Sequence, residues 1–109
     1  MRIIIAATFV TLLAACASSG GDNPRRYSGV YAEGMETMTF HPEGRDEAWA
    51  VRSGYESLQA AAPPRADPND GFRVCATIEA RLSERGRYGH LGMFPREIEI
   101  TQVIEARPC

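Results

Sequence analysis

There is no lysine in this chain, so all of its positive charge is carried by arginine. A phosphate-binding P-loop, which needs a Lys-Ser/Thr pair, is therefore excluded. Histidine is nearly as scarce, with only His41 and His90, and the three cysteines, Cys16, Cys75 and Cys109, contain no CxxC pair. A metal site with ordinary ligand spacing has little to be built from. No serine stands in a nucleophile elbow, and neither histidine has an acid partner evident in the sequence, so the expectation is a protein that is not an enzyme and carries no cofactor. The net charge is −2 at pH 7, and removing an amino-terminal leader that contains Arg2 takes it to −3. An acidic excess argues against nucleic acid as a partner, because cations are needed to displace counterions from phosphates. The sustained hydrophobic run, Ile3 to Ala15, is too short to be a comfortable membrane span.

That run follows the positive Met1-Arg2 and has the form of the n-region and h-region of a signal peptide. It ends in Leu13-Ala14-Ala15-Cys16, which resembles the lipobox of bacterial lipoproteins. The resemblance implies that residues 1–15 are a leader and that Cys16 receives diacylglycerol before cleavage and a further acyl chain after it. Several chains on one cysteine matter because one chain anchors only marginally, each buried methylene adding roughly 0.8 kcal/mol. Ala17, where an Asp would signal retention, resembles the outer-membrane class, which places the remainder of the chain in the cell envelope facing the periplasm. The competing reading is a buried amino-terminal hydrophobic helix with an incidental cysteine. Residues 17–26, ASSGGDNPRR, read together with Cys16 as a lipidated, flexible tether. It extends at most ~33 Å and typically spans ~17 Å.

From residue 27 to 109 the pattern is that of one small β domain. Tyr27 to Ala32 and Met35 to Phe40 flank Glu33-Gly34 and predict a tight hairpin in which Gly34 supplies a positive φ. His41 to Gly44 predicts a turn, and Ala48 to Arg52 a third strand with Trp49 and Val51 on one face. Ser53-Gly54-Tyr55-Glu56 has the form of a capping box, followed by Tyr55, Leu58 and Ala62 on one side of a short helix that Pro63-Pro64 ends. Residues 63–71 form a turn-rich loop. The strongest alternation follows: Phe72, Val74, Ala76, Ile78, Ala80 and Leu82 share one face of a half-buried strand. In the last strand Ile98 and Ile100 keep that parity and Val103-Ile104 break it, so a bulge is expected between Thr101 and Val103.

An even cysteine pair in an exported domain points to a disulfide, the alternatives being two free thiols or an intermolecular bridge. If the strands flanking Gly86 to Pro95 form a hairpin centred near Gly92, Cys75 stands directly opposite Cys109. The order strand, strand, strand, helix, strand, strand predicts a mainly β chain with one short helix, folded as a five-stranded OB-like barrel rather than as an open sheet with a helix packed on it. The segment Arg87-Tyr88-Gly89-His90-Leu91-Gly92, then Arg96 to Ala106, then Cys109, also resembles small bacterial envelope lipoproteins with a Tyr-Gly-His-Leu-Gly loop before a strand and a terminal cysteine. That resemblance implies no activity.

The candidate binding loop is Gly86 to Pro95, with Arg87, Tyr88 and His90 as its notable side chains. Its glycines expose backbone amides that could cradle an anion, although a plain connection with Tyr88 and Leu91 tucked over the barrel end accounts for them as well. The function expected is a non-catalytic, membrane-tethered module that binds an envelope protein or component through one barrel face and this loop. The alternative is a metal- or ligand-sensing lipoprotein using His90 with His41, helped by Met35, Met38 or Met93. Glu97 and Glu99 alternate outward and read as solvated charges.

Overall fold

The computed structural model describes residues 23–109. The expected leader, the lipidation candidate Cys16 and the tether up to residue 22 lie outside the described residues. Among the described residues five strands and one α-helix occur in the expected order: β1 (Arg25–Gly34), β2 (Thr37–Pro42), β3 (Trp49–Ser53), α1 (Glu56–Ala60), β4 (Phe72–Leu82) and β5 (Glu97–Pro108). They close into a barrel in the order β1-β2-β3-β5-β4, with β3 and β5 parallel and the other neighbours antiparallel. The fold is thus mainly β with one short helix, a small OB-like barrel. Closure pairs every strand on both edges over part of its length. Arg25 and Arg26, assigned above to the tether, belong to β1, where they stand opposite Ala80 and Glu79.

Alternation drives the core. Phe72, Val74, Ala76, Ile78 and Ala80 of β4 are buried, while Arg73 and Arg81 on the other face are exposed. Tyr31, Phe40, Trp49, Leu58 and Ile98 are fully buried around them. The Trp49 ring meets the edge of Tyr27 at 5.1 Å and stacks on Phe40 at 6.2 Å. Leu58 gives α1 its hold on the barrel, since burying such a side chain is worth about 1.5–3 kcal/mol.

Three local expectations are corrected. The first turn is Met35-Glu36, between the paired Gly34 and Thr37, and the positive φ of 57° falls on Glu36 rather than on Gly34. On its other edge β1 pairs with β4 as far as Glu33, and that pairing carries the strand past the expected turn. The displacement is an even number of residues, so Phe40 still faces inward.

No capping box forms, because Ser53 remains the last residue of β3, paired with Glu99, and α1 starts with Tyr55 at its cap and no side-chain cap bond. Gly54 makes the turn at φ +86°, where a Cβ would lie 2.0 Å from the Ile100 carbonyl oxygen. A β3–β5 crossing this close leaves the serine no freedom to fold back onto a helix start.

The β4–β5 hairpin contains two irregularities rather than one. Register shifts between Thr77 and Ile78 and between Glu79 and Ala80 leave Ile104 and Thr101 as extra residues on β5. Inward positions therefore run Ile98, Ile100, Val103, Ala106, and Ile104 is pushed out to 41% exposure. Cys75 consequently faces Arg107, not Cys109. The disulfide forms all the same: Cys109 lies just beyond the strand end and bonds to Cys75 across a Cα separation of 5.0 Å.

Strand directions sort the connections into two ends. The entries of β1, β3 and β5 and the exit of β4 share one end, with the β4–β5 loop. The opposite end carries the Met35-Glu36 turn, α1, the 63–71 loop and the disulfide. Among the described residues no helix is long and apolar enough to cross a membrane.

Candidate functional site

The β4–β5 loop continues the hairpin beyond its strands. Ser83 N–H donates to the Glu97 carbonyl, Gly86 N–H to Pro95, and Tyr88 and Phe94 exchange a pair of backbone bonds at 2.9 and 3.1 Å. The tip, Gly89 to Met93, is closed by bonds from Gly92 N–H to the Gly89 carbonyl and from Met93 N–H to that of His90. A Cβ on Gly89 would come within 2.7 Å of the Phe94 ring and 2.9 Å of the Ala50 Cβ. The loop therefore lies against the outward face of β3, and Ala50, which points away from the core, is only 5% exposed beneath it. Only glycine permits this approach.

The loop base is held by one carboxylate. Glu47 accepts a 2.8 Å bond from the indole N–H of buried Trp49 and a 2.9 Å bond from Arg85 Nη2, and Arg96 Nε lies 4.0 Å from it. Donation from Trp49 foremost, then the Arg85 guanidinium, holds its carboxyl below the ordinary glutamate range despite partial burial. Glu47 thereby joins the β2–β3 connection, the core and both legs of the loop. Sequence reading missed it, since its partners lie up to 49 positions away in the chain and no local motif marks them.

Of the candidate residues, Tyr88 is half-buried: its hydroxyl donates to the Glu84 carbonyl at 3.0 Å and its ring packs on Gly86. It braces the loop. Arg87 and His90 are exposed. The side chains that dominate the tip are Leu91, 77% exposed, and Met93, 69% exposed. Leu91 was expected to tuck over the barrel; instead its backbone takes φ +57°, a conformation that costs free energy in any residue but glycine. The glycines on either side of the His90-Leu91 pair were the only sequence signal.

A second feature adjoins the loop stem. An open groove of about 460 Å³ runs along the outer face of β3, β5 and β4, lined by Arg52, Arg81, Ser83, Glu84, Tyr88 and Glu99 among others. Its charges alternate, and Arg81 bridges Glu99 at 3.5 Å. Arg81 and Arg85 are each matched to a carboxylate and Tyr88 is half-buried, so these side chains do not make a row of free cations beside an exposed ring.

The soft metal ligands are scattered. Met35 sits in the turn at the disulfide end, Met38 packs on the core, and Met93 and His90 belong to the opposite end. His41 Nε2 lies 3.2 Å from Thr39 Oγ1. Among the described residues no group of three or more His, Cys, Asp or Glu is placed to hold a metal ion. Cys75 and Cys109 are spent in the disulfide. Compared with known proteins, the chain has no significant match to any family model, curated protein or solved structure.

Proposed function

We propose that this chain is a lipid-anchored binding module of a bacterial cell envelope, tethered through Cys16, facing the periplasm from the outer membrane, and without catalytic activity. The observation that carries the reading is the joint presence of Leu13-Ala14-Ala15-Cys16 and an intramolecular Cys75–Cys109 bridge. A bridge of this kind persists in oxidising compartments, where an exported lipoprotein resides. Ala17 after the anchor cysteine favours the outer membrane over the inner.

The partner surface in this reading is the groove on β3, β5 and β4 with Tyr88 at its edge. Its interleaved Arg52, Arg81, Glu84 and Glu99 suit a polar protein segment, and the braced loop stem gives it a rigid wall. The mild acidic charge of the chain supports a protein partner rather than nucleic acid. Metal sensing through His90 and His41 remains the rival. Titration with copper and zinc distinguishes it, because stoichiometric binding at micromolar metal, lost in His90→Ala, would favour sensing.

The anchor is tested by mass spectrometry of the protein purified from its own membranes, with Cys16→Ser alongside. The expected result is an acylated peptide beginning at Cys16 and a variant that no longer fractionates with the membrane. Recovery of an uncut, unmodified amino terminus would overturn the proposal. A photocrosslinker at Arg52 in living cells, compared with one at Ala66 on the opposite end, tests the groove; equal adducts from both positions would remove it.

A further inference from the structure

We infer that the β4–β5 loop is a membrane-docking finger, whose tip residues Leu91 and Met93 insert into the lipid surface beside the anchor. The inference rests on the lipid-anchor reading above and adds to it a second, non-covalent contact with the same bilayer.

Three observations carry it. Leu91 and Met93 are large apolar side chains left open at 77% and 69% on a tip otherwise built of small and polar residues. Leu91 is held out at φ +57° by a hairpin whose Gly86, Tyr88, Gly92, Met93 and Phe94 amides are all bonded within it, so its exposure belongs to an ordered conformation and not to a loose end. The third is position. β1 enters the barrel at Arg25, opposite Ala80, and β4 leaves it at Leu82, opposite Ile98, so the loop and the tether depart from the same end. The nine residues from Cys16 to Arg25 extend at most ~32 Å. Even at that limit they do not exceed the length of the ten-residue strand β1, ~33 Å. An anchor on so short a leash holds the end that bears Leu91 and Met93 toward the bilayer and the disulfide end away from it.

Apolar insertion leads here, because most of the cations nearby are already matched to carboxylates. Arg85 and Arg96 face Glu47, Arg26 bridges Glu79, and Arg81 bridges Glu99. Docking is therefore expected on neutral lipid, and Arg25 and Arg87, exposed and matched to no carboxylate among the described residues, should strengthen it on anionic lipid in a salt-sensitive way. Two inserted side chains bind a membrane only weakly by themselves, but the anchor keeps them at high effective concentration against the surface.

Tryptophan fluorescence of the full-length acylated protein in phosphatidylcholine vesicles containing brominated lipid tests this directly. The only native tryptophan, Trp49, is fully buried and supplies a constant background. Met93→Trp is the principal probe, because Met93 has an ordinary φ of −86°; Leu91→Trp is the second, and Ala66→Trp, exposed at the far end, is the reference. The expected result is a severalfold greater loss of emission for positions 93 and 91 than for 66, accompanied by a blue shift and unchanged at high salt. Quenching at 93 and 91 no greater than at 66, on protein whose mass shows acyl chains at Cys16, would overturn the docking finger and leave the anchor standing. A blue shift without quenching would assign the tip to a protein contact and likewise overturn it. Absence of acyl mass would bring down both, and the mass spectrum tells these failures apart.

Discussion

Glu47 shows how much one side chain settles in a molecule of this size. Removing its carboxylate takes away the partner of the indole N–H of fully buried Trp49, and an unpaired buried donor costs about 1–3 kcal/mol. Glu47→Ala is expected to lower the unfolding free energy by that amount, read from urea denaturation. Glu47→Gln, which still offers an acceptor to the indole but loses the charge facing Arg85, should lose less. Equal losses would mean that the ion pair, not the indole bond, governs the site. Tyr31 controls the alkaline side. Burial first, and then its bond to Glu33, push its phenol well above the ordinary value of 10.0. A pKa raised in the folded state contributes stability that is fully present below the unfolded value and is lost as pH rises beyond it. Thermal melts should therefore fall progressively above pH 10, and Tyr31→Phe should move that decline to higher pH. An unchanged alkaline limb in the variant would place the cause in another tyrosine.

At the scale of elements, non-local pairing outranks local signals. Ser53 and Glu56 read as a capping box, and a real one contributes about 1 kcal/mol. Because Ser53 is committed to β3 opposite Glu99 and makes no cap bond, Ser53→Ala is expected to change stability by less than ~0.5 kcal/mol. Gly54→Ala, at φ +86° with Ile100 backbone in the way, should unfold the protein or cost several-fold more than Ser53→Ala. Chemical denaturation of the pair checks both, and a large loss in Ser53→Ala would restore the cap. The two bulges in β5 obey the same rule. The broken parity at Val103-Ile104 showed that an extra residue was needed. Only the pairing with β4 showed that there are two, at Thr101 and Ile104, each turning the next apolar side chain back inward.

For the whole molecule, the Cys75–Cys109 bridge ties β4 to the carboxy terminus at the end away from the loop. Closing its 34-residue separation contributes about 3–4 kcal/mol in the chain-entropy treatment, a large share of what a domain this small possesses. Cys109→Ser is expected to lower the denaturation midpoint accordingly while leaving the loop, at the other end, in place; no change on reduction would show that the barrel stands without the bridge. Strand order, the inward residues of β4, the cysteine pairing and the connection from Gly86 to Pro95 were all legible in the chain, because alternation, turn residues and an even cysteine count are local or compositional signals. Turn position, register, the helix start and the exposure of Leu91 and Met93 were not. Each depends on which strand lies on the other edge: β4 draws β1 past Gly34, β5 retains Ser53, and Ala50 of β3 supports Gly89 so that the tip stands clear. A sequence specifies which face of a strand is apolar through its own neighbours, whereas where strands meet is decided only when the barrel closes and each strand must satisfy two partners at once.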